Sequence, residues 1–319
     1  MLLRKLNNIG QFCLALIAMV WLSACASVQK TSIAQIENLP NTFSVPYRIS
    51  DAGHMIVDVS INNGPTYPFI IDTGANISAV YAEYVETMNL TASDDGVSVK
   101  GLVSTDVRPS LENVNLTIGP EKFHPDSVIS LETQDANNDA IGLLGLDVLS
   151  TYTVLFNRTS LMASFIPSQQ VASKDFKGWK RIPLRNRVGS FPDNGLYFAT
   201  TILKDKKVPI LIDTGSDLNF INWPLATMDE DFEKVQRRLQ SETYLVGATD
   251  SKTLRLKTKF FDLTLGNYNW PEVDIIVMEF DTFTTIAPVD RPFMIAGAPM
   301  FAPSTFAFDF AGNRLYIYE

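Results

Sequence analysis

Two stretches decide the fold of this chain: Phe69-Ile70-Ile71-Asp72-Thr73-Gly74 and Ile210-Leu211-Ile212-Asp213-Thr214-Gly215. Each is a short apolar run, typical of a buried β-strand, followed directly by Asp-Thr-Gly. A carboxylate at the end of a buried strand is costly unless it is paired or neutralised. Because this arrangement occurs twice, 141 residues apart, we expect the two carboxyl groups to lie together.

The sequence around these stretches repeats on nearly the same spacing. Matching glycines follow the two aspartates at offsets of 146, 147 and 152 residues, namely Gly101 with Gly247, Gly119 with Gly266 and Gly145 with Gly297. A slowly increasing offset indicates a duplicated domain with small loop insertions. The segments between turns are short and strand-like, so each copy is predicted to be mainly β.

Composition restricts the class of protein. The 319 residues include 46% hydrophobic side chains, which is enough for a sizeable core. The formal net charge of −9 argues against a protein that binds nucleic acid or an anionic membrane through a basic face. We therefore expect no nucleic-acid partner.

The N-terminus has the pattern of a bacterial lipoprotein signal. Arg4 and Lys5 precede an apolar run from Phe12 to Ala24, which is short for a membrane span and ends in Leu22-Ser23-Ala24-Cys25. This resembles a lipobox, in which Cys25 is lipidated and becomes the first mature residue. An ordinary secretory signal with an incidental cysteine, or an uncleaved anchor, are the alternatives. Since Ala26 rather than Asp follows the cysteine, the resemblance indicates the periplasmic side of the outer membrane.

These patterns predict five segments. They are a signal peptide at 1–25, a tether at 26–42, a first lobe at 43–168, a linker at 169–190 and a second lobe at 191–319. The other cysteine of the chain, Cys13, lies inside the apolar run of the signal. The mature protein is therefore expected to have no internal disulfide.

The paired motifs resemble those of the aspartic proteases of the pepsin and retropepsin superfamily, and most closely the bacterial retropepsin-like proteins. The matching residues are Asp72-Thr73-Gly74-Ala75, Asp213-Thr214-Gly215-Ser216, and the runs Leu143-Leu144-Gly145 and Ile295-Ala296-Gly297. The resemblance implies a two-lobe aspartic protease fold, built from a duplicated β-barrel-like domain, with one Asp-Thr-Gly loop from each lobe. Because this chain carries both copies, we expect a monomer. Pairing of two chains through one lobe each, as in retropepsins, is the alternative.

The implied reaction is hydrolysis of a peptide bond by activated water. Two adjacent carboxyl groups cannot both ionise cheaply, so they share a proton, and one acts as base while the other polarises the scissile carbonyl. Asp72 and Asp213 are the candidate catalytic residues, supported by Thr73, Gly74, Thr214, Gly215 and Ser216. We expect Thr73 and Thr214 to hydrogen-bond across to the opposite loop. We also expect the Ser216 hydroxyl to hydrogen-bond Asp213, which would leave Asp213 ionised and the proton on Asp72.

The candidate flap and substrate-binding residues are Gly101, Tyr244 and Gly247, and an extended peptide would bind between the flap strands. His54 and His124 are interpreted as surface or turn residues, with no second ligand at metal-binding spacing. No metal or organic cofactor is implied. A catalytically inactive periplasmic lipoprotein that binds peptides with the same fold is the alternative function. A single Asp-Thr-Gly could also be a plain β-turn.

Overall fold

The computed structural model describes residues 30–100, 105–132, 139–186, 195–203, 205–228, 242–246, 252–277 and 291–319. Within these ranges the chain is mainly β and contains two lobes with the same order of elements. The strands of the first lobe are β1 Phe43–Ile49, β2 Met55–Ile61, β3 Thr66–Ile71, β4 Ala79–Tyr81, β5 Ala92–Lys100, β6 Thr105–Leu111, β7 Leu116–Ile118, β8 Glu121–Phe123, β9 Val128–Leu131, β10 Gly142–Leu144, β11 Tyr152–Asn157 and β12 Met162–Pro167.

The strands described after residue 168 begin in the predicted linker with β13 and continue through the second lobe in a similar order. They are β13 Lys180–Pro183, β14 Phe198–Leu203, β15 Lys206–Asp213, β16 Phe220–Ile221, β17 Glu242–Val246, β18 Lys252–Leu265, β19 Tyr268–Val277, β20 Met294–Gly297, β21 Thr305–Asp309 and β22 Arg314–Tyr318. The described α-helices are short: α1 Ile33–Glu37, α2 Ala82–Val85, α3 Leu146–Leu149 and α4 Trp223–Ala226. The predicted fold class is confirmed.

One sheet joins the two lobes. Its strand order begins β13-β22-β21-β11-β12-β1 and then continues through β2 into the first lobe. At its centre β11 and β21 pair antiparallel, with Val154 opposite Phe308 and Phe156 opposite Phe306. Each lobe therefore contributes its closing hairpin to a shared interlobe sheet.

Alternation of side chains gives this interlobe sheet two buried faces. Val154 and Phe156 point into the main core, which extends through both lobes, while Leu155 between them belongs to a separate cluster on the other face. The Phe156 and Phe306 rings stack with centroids 4.8 Å apart. Since successive residues of a strand face opposite sides, the sheet separates the main core from a second apolar layer.

That second layer includes residues of the segment 26–42, which was predicted to be a tether. In place of a flexible segment through residue 42, helix α1 packs its fully buried Ile36 against Phe176, Trp179 and Tyr316. The predicted linker 169–190 is also ordered where it is described, through 3-10 helices at Ser168–Gln170 and Ser173–Phe176. The linker also contributes strand β13, which pairs with β22. Apolar side chains spaced too irregularly to show a period hold both segments to the body.

Within the described ranges, no helix has both the length and the apolar character required to cross a membrane. The predicted signal peptide and Cys25 precede the described residues.

Candidate active site

Each Asp-Thr-Gly loop follows a strand that pairs in parallel with the glycine strand of its own lobe. In the first lobe β3 pairs with β10, with Ile71 opposite Leu144, and the Asp72 amide donates to the Leu144 carbonyl at 2.9 Å. In the second lobe β15 pairs with β20, and Asp213 lies opposite Gly297. The apolar-apolar-Gly runs noted in the sequence are therefore the strands beside the two loops.

The two threonines join the loops by reciprocal hydrogen bonds, as expected from the sequence. The Thr73 amide donates to the Thr214 hydroxyl at 3.1 Å, and the Thr214 amide donates to the Thr73 hydroxyl at 3.1 Å. Each hydroxyl also donates across to the other lobe, Thr73 to the Ile212 carbonyl at 2.8 Å and Thr214 to the Ile71 carbonyl at 2.6 Å. Four buried hydrogen bonds thus fix one loop against the other.

Glycine is required in both loops because each loop lies against the opposite carboxyl group. A Cβ built on Gly74 would overlap the carboxyl group of Asp213, and one built on Gly215 would overlap that of Asp72. The glycines let the backbones approach this closely. As a result the two carboxyl groups lie side by side and hydrogen-bond to each other.

Burial and mutual repulsion raise the pKa of both aspartates. Their side chains are 8% and 7% exposed, and desolvation is the largest cause of the increase at each. The pKa of Asp213 lies well above its usual value, because the charge of Asp72 adds to desolvation. Desolvation also raises the pKa of Asp72, and the amides of Gly74, Ala75 and Gly215 oppose that increase by hydrogen-bonding its charged form. The amides of Gly215 and Ser216 act in the same way on Asp213.

The two carboxyl groups are therefore expected to share one proton. The sequence-based expectation placed that proton on Asp72 and the charge on Asp213. That expectation depended on a hydrogen bond from the Ser216 hydroxyl to Asp213. The hydroxyl donates instead to the Leu218 carbonyl at 2.9 Å, and only the Ser216 amide reaches Asp213, at 3.1 Å. Ser216 thus contributes a backbone donor to the dyad, and its side chain closes its own turn.

Behind the first loop lies a polar support that the sequence analysis missed. The Ser78 hydroxyl donates to Asp147 at 2.7 Å, its amide donates to the other carboxylate oxygen at 3.0 Å, and the hydroxyl accepts from the Gly145 amide at 3.0 Å. In the second lobe Asn219 accepts from the Gly297 amide at 2.8 Å. Ser78 and Asn219 are 141 residues apart, the same offset as the two aspartates. A polar residue repeated at that offset was the sequence pattern that could have identified this support.

His54 is also close to the dyad. It lies at the turn between β1 and β2, as one of the two interpretations predicted, where the Ser50 amide donates to its carbonyl at 3.0 Å, but it is buried and not at the surface. It is 8% exposed, its Nε2 atom has no hydrogen-bond partner among the described residues, and it lies against the Gly215 backbone and Asp217. Burial lowers its pKa, and the Asp217 charge opposes that decrease. In the second lobe the position equivalent to His54 is Leu196. Ile56 lies opposite Ile70 of β3 and Phe198 lies opposite Leu211 of β15, so the residues two places before Ile56 and Phe198 correspond.

The remaining predicted residues are only partly described. Gly101 falls between the paired strands β5 and β6, and Gly247 follows β17, but both glycines lie outside the described residues, as does Cys25. Tyr244 lies opposite Leu254 in the β17–β18 ladder. Among the described residues, no three His, Cys, Asp or Glu side chains are grouped closely enough to hold a metal ion.

Comparisons with known proteins agree with this geometry. Residues 57–151, which carry the first loop and its glycine strand, match the family model of the gag-polyprotein putative aspartyl proteases. Among solved structures, the aspartic proteinase from Irpex lacteus is similar, with a TM-score of 0.51 and 15% sequence identity. That alignment covers 86% of this chain and 96% of the proteinase chain. A comparison with curated protein sequences found no match.

The family match covers one lobe, and the structural match covers both. The duplicated loops, their glycine strands and the interlobe sheet account for both similarities. The chain is thus similar to an aspartyl protease family over residues 57–151, and its fold is similar to that of an aspartic proteinase over most of its length.

Proposed function

We propose that this protein is an aspartic endopeptidase in which Asp72 and Asp213 activate water to hydrolyse a peptide bond. The observation that carries the proposal is the buried pair of carboxyl groups held together by the reciprocal Thr73 and Thr214 hydrogen bonds. A merely structural turn would not need two buried carboxyl groups in contact, since their mutual repulsion destabilises the fold.

In the proposed reaction, ionised Asp72 takes a proton from a water molecule as the water oxygen bonds to the scissile carbonyl carbon. Asp213 gives its proton to the carbonyl oxygen, so the intermediate is a neutral tetrahedral diol. The carbon–nitrogen bond then breaks as the amine nitrogen takes the proton from Asp72. One diol hydroxyl returns a proton to Asp213 as the carbonyl re-forms. The starting protonation state is thereby restored without a covalent intermediate.

The test uses a soluble form that begins at Ala26, offered a mixed peptide library across acid and neutral pH. We expect cleavage, and we expect Asp72→Asn and Asp213→Asn each to abolish it. Asp205→Asn is a matched control, because Asp205 is exposed in a left-handed turn, which asparagine also tolerates. Tight peptide binding without cleavage at any pH would instead favour the inactive peptide-binding function.

We further propose that the enzyme acts as a monomer. All four threonine hydrogen bonds and the β11–β21 ladder lie within one chain. Sedimentation of the active soluble form should give the mass of a single chain, and activity that rises steeply with protein concentration would indicate pairing of two chains.

We propose that the mature protein is anchored by a lipid on Cys25 at the periplasmic side of the outer membrane. The support is the Leu22-Ser23-Ala24-Cys25 sequence after a short apolar run, followed by Ala26. Cys25→Ser should move the protein from the membrane fraction to the soluble fraction. Retention of the variant in the membrane fraction would contradict lipid anchoring.

A further inference from the structure

The point at which the chain enters the folded body is fixed by several contacts. The Thr31 amide donates to the Lys177 carbonyl at 2.9 Å, and the Trp179 indole donates to the Thr31 carbonyl at 3.0 Å. The Lys30 ammonium lies over the Tyr318 ring, 3.5 Å from its centroid. The first described residue is therefore held beside the C-terminal strand β22.

Helix α1 continues this attachment. A capping box between Ser32 and Gln35 fixes its first turn, and Ile36 is completely buried. The cluster that receives Ile36 includes Phe176 and Tyr316, whose rings stack with centroids 4.0 Å apart. We name the surface formed by residues 30–39, 168–181 and 314–319 the N-terminal face.

The N-terminal face is on the far side of the interlobe sheet from the core that carries the dyad strands. Ile71 and Ile212, which directly precede the two aspartates, belong to the main core together with Phe156. Leu155, on the opposite side of the same strand, packs with Ile36. The chain thus enters through the layer behind the sheet, away from the Asp-Thr-Gly loops.

The N-terminal face also concentrates positive charge on an otherwise acidic protein. Lys174, Lys177 and Arg181 are exposed there, and Lys180 pairs with Glu319 at 3.2 Å. Asp175 is engaged locally, since its carboxylate accepts from the Ala172 amide at 2.8 Å. With a formal charge of −9 for the whole chain, an anionic lipid surface would attract this face and repel the rest.

The distance from the proposed anchor is short. Four residues lie between Cys25 and Lys30, and the five residue-to-residue steps span at most about 18 Å when fully extended. A folded body of this length is roughly 50 Å across. The connection is shorter than half the diameter of the folded body. The side of the body opposite Lys30 therefore cannot reach the bilayer that holds the anchor.

From these contacts, charges and distances we infer that the N-terminal face lies against the lipid bilayer and the Asp-Thr-Gly loops face away from it. The inference rests on the proposed lipid anchor at Cys25. The membrane surface it requires is anionic, and Lys174, Lys177 and Arg181 are the groups that contact its headgroups. This local cluster revises the expectation, drawn from the net charge of −9, that the protein has no basic face for an anionic membrane. Extended periplasmic peptides would then reach the dyad from the aqueous side.

The test is a pair of single-cysteine variants, since the mature chain has only Cys25 and the proposed lipid occupies its thiol. Ser173→Cys places an exposed thiol on the N-terminal face without altering charge, and Val107→Cys places one on β6, near the opposite end of the strand order. Val107 is 64% exposed, so both sites accept a fluorophore. The full-length lipidated proteins are reconstituted in phosphatidylglycerol vesicles that carry a headgroup quencher.

We expect at least threefold stronger quenching of the label at 173 than at 107. Insertion of twenty Gly/Ser residues after Ala26 should weaken quenching at 173, because the longer tether reaches about 25 Å on average. Equal quenching at the two positions would overturn the orientation.

The outcomes separate this inference from the proposed function. If the protein cleaves peptides but the two labels are quenched equally, only the inferred orientation is overturned. If the label at 173 is quenched more strongly but no peptide is cleaved, only the proposed activity is overturned. Protein that does not associate with vesicles when Cys25 is intact overturns the anchor and the orientation together.

Discussion

Replacement of Thr214 by valine is the sharpest test of how the two loops are held. The Thr214 hydroxyl accepts from the Thr73 amide and donates to the Ile71 carbonyl, and the residue is completely buried. Valine has nearly the same shape but makes neither bond. Two buried polar groups of the other lobe then lose this partner, at about 1–3 kcal/mol each.

The expected cost of Thr214→Val is therefore about 2–6 kcal/mol, a large share of a typical folding free energy. The matched control is Thr214→Ser, which keeps the hydroxyl and loses one buried methyl group, at about 1 kcal/mol. In urea unfolding, the valine variant should lose roughly 1–2 M in midpoint, and the serine variant much less.

A second control exploits the repeat. Thr73→Val removes a hydroxyl that makes the same two kinds of bond, to the Thr214 amide and the Ile212 carbonyl, so its cost should match that of Thr214→Val. If Thr214→Val proved as stable as Thr214→Ser, the cross-lobe hydrogen bonds would not be what holds the loops, and the reasoning would be refuted.

Three further predictions concern the titratable groups near the dyad. Asp213→Asn should abolish hydrolysis and raise the urea midpoint at neutral pH, since it removes a buried carboxyl group that desolvation and the charge of Asp72 destabilise. The increase in midpoint should become smaller at acid pH, and a lower midpoint than the parent at neutral pH would contradict the prediction. His54→Leu should gain stability relative to the parent as pH falls below about 6.5, because burial lowers the pKa of His54 in the folded protein; parallel urea-midpoint curves would contradict this. Asp147→Asn, which weakens the bonds from Ser78, should reduce kcat by roughly tenfold with little change in KM, and an unchanged kcat would exclude a positioning role.

The sequence was sufficient for features that depend on local pattern and repetition. The apolar runs before Asp72 and Asp213 became β3 and β15, and the glycine runs became strands β10 and β20 beside them. The cross-lobe threonine bonds were also predictable, because a superfamily resemblance specifies what a threonine at that position does. These inferences needed only the order of residue types along the chain.

Features that depend on contacts between distant segments could not be predicted. Helix α1 has five residues and one fully buried side chain, Ile36, so no hydrophobic period marks it in the sequence. The burial of His54 results from its packing against Gly215, more than 150 residues away. The donors to the dyad likewise come from distant segments, since the amides that hydrogen-bond Asp72 belong to both lobes.

The duplicated fold supplies equivalent scaffolds to both aspartates, yet their surroundings differ. The first loop is supported by Ser78 and Asp147, whereas the second is supported by Asn219 and approached by His54. In a symmetric pair of identical chains, every such group would occur twice, and the two carboxyl groups would be equivalent until substrate bound. A single chain can favour one protonation state of the dyad in advance. The asymmetric neighbours are therefore the physical advantage of carrying both lobes in one polypeptide.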